Sequence, residues 1–342
     1  MTYHRKLVAG ILAALVVFTF AFSLSAGQYD LSFVQVAAWF CHQLGLPVLE
    51  DVQISAQQEA VLMFIRSPRT LVGFMVGAGL AASGTILQGL FSNPLADPGI
   101  IGVSSGATVG AVLAITLGVN AVNMFAMPAF AFVGASAAVL ITIGLASRNG
   151  RIPVLTLLLS GVVVGMLLGA ITAAMLVVMD EYKLQQYLFW TVGSLDYRRW
   201  EHVLMGIGPI TLGIGIMLLM ARHLNILALG EAEAKAVGMP VGRYRLILLL
   251  VSAMTTATSV CISGSIGFVG LIIPHMMRML VGPNHKYLLP ASIVAGGVFL
   301  LFCDSLGRVL IEKHEVNVGI MTAFLGTPYF LYLLRKNSNL DK

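Results

Sequence analysis

Charge is scarce in this chain. Of its 342 residues, 10% are Asp, Glu, Lys or Arg, where an ordinary soluble domain carries roughly 25%. So few charged side chains cannot cover a water-facing surface, which excludes a soluble globular protein. With 58% hydrophobic residues, most of the chain must have lipid as its solvent. Cysteine is scarcer still. Cys41, Cys261 and Cys303 lack metal-ligand spacing and build no disulfide framework, so they read as small buried hydrophobes. The sequence has no GxxxxGK[ST] phosphate loop, no HExxH metal motif and no GxSxG nucleophile elbow. No catalytic residue, metal ligand or resident cofactor is nominated, and ATP binding of the P-loop kind is excluded.

What is present is long apolar sequence. Stretches 7–29, 70–96, 152–179, 203–221 and 316–334 hold no Asp, Glu, Lys or Arg. The stretch 98–147 suffices for two spans with a turn at 117–123. Another, 246–277, suffices for two with a break at Gly264 and Gly267. Adding 287–303 predicts about ten helical spans, each crossing a ~30 Å hydrocarbon core with about 20 residues. A membrane β-barrel would alternate apolar and polar residues, and these blocks do not.

The expected fold class is therefore all-α and polytopic, a single transmembrane domain over 1–342. Its first span is 7–29, followed by an outer segment at 30–65. Spans 2–6 occupy 66–221, a cytoplasmic loop 222–245, and spans 7–10 with a short tail 246–342. The apolar run after His4, Arg5 and Lys6 is longer than a signal peptide's core of roughly 7–15 residues, so it is read as a retained span.

Ten spans with a cytoplasmic N-terminus make a prediction about basic residues. The inner segments hold Arg5, Lys6, Arg148, Arg151, Arg222, Lys235, Arg243, Arg245, Arg278, Lys286, Arg335, Lys336 and Lys342. The outer ones hold Arg66, Arg69, Lys183, Arg198, Arg199, Arg308 and Lys313. The excess lies inside, as the positive-inside rule demands. The net charge of +5 is thus explained by topology anchors rather than by nucleic-acid binding. The outer arginines run against the rule and need a separate reason.

Two glycine ladders recur at four-residue spacing: Gly102, Gly106, Gly110 and Gly161, Gly165, Gly169. Each ladder falls on one helix face, where a neighbouring backbone can approach closely or a smooth pathway wall can form. Ser83-Gly84-Thr85-Ile86 with Pro94 is echoed by Ser263-Gly264-Ser265-Ile266 with Pro274, a hint that spans 2–5 and 7–10 are duplicated halves. Between spans 2 and 3, Asn93, Pro94, Asp97 and Pro98 form a short cytoplasmic turn, with Asp97 an N-cap for the next helix. Pro68 suits a helix start. In the loop 222–245, residues 231–237 read as a short helix stopped by Gly238. Asp304 and Arg308 are four apart, a spacing that permits an intrahelical ion pair.

The segment RSPRTLVGFMVGAGLAASGTILQGLFSNPLADPGIIGVSSGA (66–107) resembles the signature of the iron-chelate and cobalamin permease family, the membrane subunits of type II ABC importers. Three later segments resemble the same family in the same order. They are LALGEAEAKAVGMPVGRYR (227–245), GSIGFVGLIIPHMMRMLVGPNHKYLLP (264–290), and the run from CDSLGR to VGIMTAFLGTPYFLYLL (303–334). The resemblance covers the chain from about residue 60 to its end.

The resemblance implies ten helices per subunit and a homodimer around one central pathway, in a bacterial or archaeal cytoplasmic membrane. It implies two cytoplasmic ATPase subunits, which bind ATP-Mg where this chain binds no cofactor, and an external substrate-binding protein. It places Arg66, Arg69 and Arg308 where the family's outer arginines receive the binding protein's acidic residues. Glu231, Glu233, Lys235 and Gly238 fall in its coupling helix, which enters a groove of the ATPase. Asn93 and Leu95 match a cytoplasmic gate, and Val154 and Leu155 match a second by position alone. Pro274, His275 and Arg278 are assigned to packing or the cytoplasmic lip, with His275 a hydrogen-bonded structural histidine. The cargo implied is a bulky metal chelate: an iron–siderophore, haem or cobalamin. The alternative class is an ion-gradient-driven secondary transporter, for which Asp304 would be the main intramembrane acid.

Overall fold

A computed structural model of the chain describes residues 2–147, 152–312 and 314–338. Arg148, Arg151, Lys313 and Lys342, which entered the charge count, lie outside the described residues. Helix α1 (Thr2–Ser25) is the first span. On the outer side stand α2 (Phe33–Gln43) and α3 (Ala56–Ala60), each started by a capping box, Ser32 with Gln35 and Ser55 with Gln58. In such a box a side-chain oxygen at each end satisfies an orphan backbone N–H at the other. The buried Trp39 of α2 joins Leu24, Leu31, Val36 and Leu62 in a satellite core beneath this segment.

Helix α4 (Ser67–Leu90) continues from α3 without leaving helical geometry, through a π turn at Val61–Arg66. Pro68 therefore does not begin the helix as its residue type suggests. A proline lacks an N–H and clashes with the carbonyl four residues back, and the wider π turn immediately before it is a common accommodation. A 3₁₀ turn at Pro98–Ile101 leads to α5 (Val103–Thr116) and the short α6 (Val119–Val122). Next come α7 (Ala126–Ala146), α8 (Val154–Val177), the outer α9 (Glu181–Val192) and α10 (Trp200–Leu219). The cytoplasmic elbow holds α11 (Ala221–Leu227) and α12 (Glu231–Ala236). The chain ends with α13 (Val241–Ser263), α14 (Val269–Val281), α15 (His285–Val309) and α16 (Val318–Ser338).

Among the described residues, seven of these helices are long and apolar enough to cross a membrane. The apolar α5, α14 and first part of α16 are shorter. Together they account for the ten expected spans.

Helix α4 is the axis of the fold. It is buried along most of its length and packs on α10, α13, α14 and α15. Glycine permits this crowding: a Cβ on Gly77 would strike the Gly296 backbone of α15, and one on Gly84 the Gly270 backbone of α14. Helices α1 and α8 lie at the periphery, with most of their side chains turned outward.

The short sequence echo does not mark equivalent positions. Residues 83–86 lie inside α4, whereas Ser263 ends α13 and Gly264 stands in the break before α14. Pro94 is in a turn and Pro274 inside a helix. The echo therefore reflects shared small-residue composition at non-equivalent places.

The glycine ladders divide. Gly106 and Gly110 abut the backbone of α7 at Gly134 and Phe130, as close packing requires. Gly102 serves differently, as the left-handed residue (φ 86°) that opens α5. In the second ladder Gly161 meets the Ile100 backbone, but Gly165 has only an ordinary contact with Ser105, and Gly169 has nothing within 4 Å. Packing thus explains Gly161 and does not explain Gly169. Cys261 and Cys303 are buried, while Cys41 is half-buried.

Candidate functional site

On the cytoplasmic side, the helix expected at 231–237 is found as α12, Glu231–Ala236. Alanine at alternate positions favours it, and Ala234 is its one buried residue. Gly238 ends it at φ 78°, with its own N–H donating to Lys235 O at 2.9 Å and Met239 N–H donating to Ala234 O at 3.0 Å. Only glycine adopts that conformation without a steric penalty. No atom stands within 4 Å of a Cβ placed there, so backbone conformation alone selects glycine.

The acidic and basic side chains of α12 are not simply solvated. Lys235 Nζ lies 2.6 Å from Glu231 Oε1. Arg245, from the first turns of α13, reaches Glu231 Oε2 at 3.3 Å and donates to the Ile152 carbonyl at 3.0 Å. The Lys235 hydrogen bond is the main influence holding the Glu231 carboxyl below its ordinary range. Sequence reasoning counted Arg245 only as a topology anchor. Its position one helix after α12 was the available signal.

The two segments expected to form a cytoplasmic gate stand on neighbouring elements. Asn93 accepts the Leu95 N–H on its side-chain oxygen at 2.9 Å, fixing an Asx turn directly after α4. Asn93 and Leu95 are exposed. Asp97 accepts the Gly99 N–H at 2.7 Å, the capping role expected of it. Val154 and Leu155 form the first turn of α8, and Leu155 is 70% exposed. The 3₁₀ turn that continues the first segment packs on α8 where Ile100 meets Gly161. Nearby, Arg278 donates to Gln88 at 3.0 Å, joining α14 to α4. His275 departs from expectation: its Nδ1 is buried with no partner among the described residues.

On the outer side, the three arginines are not a free docking surface. Arg66, Arg69 and Arg308 are each more than nine-tenths buried. Arg66 donates through Nη1 to the carbonyls of Leu24 and Ser25 at 2.7 Å, and through Nη2 to that of Tyr29 at 2.5 Å. Arg308 donates to the carbonyls of Ser23 and Ala26 at 3.0 Å and to the Ser23 hydroxyl at 2.8 Å. Both therefore satisfy the orphan carbonyls at the C-terminus of α1, where a cation is also favoured by the helix dipole.

Arg69 sits among three carboxylates: Asp304 at 2.9 Å, Asp196 at 2.8 Å and Glu315 at 2.7 Å. Asp304 also makes the expected ion pair with Arg308, at 3.2 Å. Burial pushes the Glu315 carboxyl above its ordinary range, with Arg69 opposing. Arg69 and Arg308 thus share the three carboxylates, while Arg66 is held by backbone carbonyls alone.

Of the three, only Arg69 lines the open outer cavity of about 550 Å³, which is shared with Asp196, Arg198, Arg199, His314 and Glu315. Arg199 and Tyr197 are among its exposed lining residues, with Phe64, Phe189 and His314. Sequence reasoning placed Arg198 and Arg199 outside but gave them no role.

Residues 15–336 match the FecCD transport family. The chain belongs to this family. It is 44% identical over 293 residues to the cobalamin import system permease of Halobacterium salinarum, covering 86% of this chain and 76% of the relative. It is 37% identical to the molybdate import system permease of Haemophilus influenzae, covering 97% and 96%. Among solved structures, it superposes on one described as an inward-facing conformation of a metal-chelate type ABC transporter. That match has a TM-score of 0.84 and 36% identity, over 97% of this chain and 99% of the other. As a member of the FecCD family, the chain is a multi-pass permease subunit of an ABC importer.

Proposed function

We propose that this FecCD permease carries a bulky metal chelate (an iron–siderophore, haem or cobalamin) into the cytoplasm. It works as one of two identical subunits around a central pathway, driven by two cytoplasmic ATPase subunits and fed by an external binding protein. The observation that carries the reading is α12. It is a short charged helix on the cytoplasmic side, ended by a left-handed glycine and tied through Arg245 to Ile152, beside the gate residues Val154 and Leu155. Such an element can be displaced by a partner and pass that displacement to the pathway. The sparsely buried α8, with Gly165 and Gly169 free of close contacts, supports a face left for the second subunit and the pathway.

The similarity to a molybdate permease makes a small oxyanion the competing cargo. An ion-gradient-driven mechanism is disfavoured by Asp304, which is paired with both Arg69 and Arg308.

The test is reconstitution with the cognate ATPase and binding protein in liposomes. ATP-dependent uptake is measured for cobalamin, haem, an iron–siderophore and molybdate. Uptake of one chelate, lost in Gly238→Val while insertion persists, is the expected result. Uptake of molybdate alone, or uptake that tracks an ion gradient without ATP, overturns the proposal.

A further inference from the structure

A groove on the periphery of the molecule plays no part in the transport reading. It lies between α1 and the first half of α15 and encloses about 480 Å³. Leu12 and Val16 of α1 line one wall, and Pro290 and Val294 of α15 the other. Ala13 and Ala291 are small enough to leave the space between them open. From Arg5 to Val16 the α1 axis advances roughly 16 Å at 1.5 Å per residue. That is about half of a ~30 Å hydrocarbon core, the depth of one leaflet.

The cytoplasmic end of the groove differs in kind. Arg5, Lys286 and Tyr287 stand there. Arg5 donates its Nε to the Val281 carbonyl at 3.1 Å and lays its guanidinium 4.2 Å over the Tyr287 ring. Its position is therefore fixed, while among the described residues its Nη groups have no acceptor. Lys286 Nζ lies 6.0 Å from the same ring centroid, on an exposed side chain. No carboxylate lines the groove, and neither cation has an acidic partner among the described residues.

We propose that this groove is a binding site for an anionic phospholipid of the cytoplasmic leaflet. The phosphate lies on Arg5 and Lys286, and one acyl chain lies along Leu12, Val16 and Val294. An apolar channel one leaflet deep, closed at headgroup level by two uncompensated cations, matches such a lipid in both shape and charge. A partner protein helix would match the apolar walls but would leave the cations unexplained. By bridging α1 to α15, the lipid would brace the peripheral first span against the core.

The experiment uses the full chain, purified in mild detergent and stripped of lipid. Native mass spectrometry counts retained lipid, and thermal unfolding is monitored as lipid is added. Phosphatidylglycerol, phosphatidylcholine of the same chains and inorganic phosphate are compared. One phosphatidylglycerol per chain is expected to be retained and to raise the unfolding temperature more than phosphatidylcholine does, with phosphate without effect. Lys286→Ala should weaken retention about fivefold, the effect of one basic residue at an anionic lipid surface. Ala13→Phe, at an exposed position, should weaken it by filling the groove while leaving both cations. Equal retention of the two lipids overturns the proposal. So does wild-type retention in both variants, or a phosphate effect equal to that of phosphatidylglycerol.

Discussion

Arg245 and Glu231 meet at 3.3 Å across the cytoplasmic face, and the same guanidinium nitrogen donates to the Ile152 carbonyl at 3.0 Å. One group therefore joins α12 to the segment that leads into Val154 and Leu155. Removing it should separate the two. Arg245→Ala is expected to lower ATP hydrolysis stimulated by loaded binding protein by about five- to tenfold, within the usual range of coupling free energies. Basal hydrolysis and membrane insertion should be retained. Arg245→Lys keeps the charge and should recover part of the loss. Stimulation in Arg245→Ala equal to wild type would remove this bridge from the coupling path.

The same cluster sets a pH response. The Glu231 carboxyl is held below its ordinary value of 4.5, chiefly by Lys235 and with help from Arg245. A depressed folded-state pKa means that the interaction is fully present above 4.5 and is lost as pH falls through the lower, folded value. The carboxylate infrared band assigned by difference against Glu231→Gln should therefore persist at pH 4.5 and fade only below it. A band that is half lost at or above 4.5 would show that the cluster does not hold this charge.

Spans and their order were legible because lipid demands long charge-free stretches, and these read directly from the residues. The short helix α12 was legible because its determinants are local: good helix formers and then a glycine at the stop. The burial of the outer arginines was not legible because their partners are remote. Arg308 meets the end of α1 across 285 positions of sequence, and no local pattern reveals that α1 ends there with its carbonyls free. Gly106 and Gly169 have the same spacing context, yet only the fold decides that one faces α7 and the other faces nothing. The echo of 83–86 at 263–266 failed for the same reason, since identical small residues serve a helix interior in one place and a helix end in the other.

The two ladder glycines separate experimentally. A Cβ at Gly106 would stand 2.5 Å from Ala138 Cβ and against the Gly134 carbonyl, whereas Gly169 has open space. Gly106→Ala is expected to destabilise by about 1–3 kcal/mol, the usual range for overpacking, and to lower the yield of folded protein. Gly169→Leu should leave yield and unfolding temperature unchanged. If it then abolishes uptake in reconstituted liposomes, Gly169 faces the pathway or the second subunit. Equal yields for the two variants would contradict this packing.

The last expectation concerns which outer arginines meet a binding protein. Arg66 and Arg308 are committed to the carbonyls at the end of α1, and Arg69 to three carboxylates. Reversing the charge at Arg66 or Arg308 would bury an acid among carbonyl oxygens, so Arg66→Glu and Arg308→Glu are expected to lose folded protein. Arg69→Ala would leave Asp304 with one cation and Asp196 with Glu315 unneutralised. Breaking a buried ion cluster in this way typically costs about 3–5 kcal/mol, read as a large fall in unfolding temperature. Arg199 is exposed in the lining of the same cavity with no acidic partner among the described residues. Arg199→Glu should therefore fold normally and weaken binding-protein association by roughly tenfold, mostly through the association rate. Added salt should weaken the wild-type contact as the Debye length shrinks to about 8 Å at 0.15 M. Association is measured by surface-immobilised binding over a salt series. If Arg308→Glu folds and loses binding while Arg199→Glu binds normally, the arginines at the end of α1 are the docking groups after all, and must leave their carbonyls to do it.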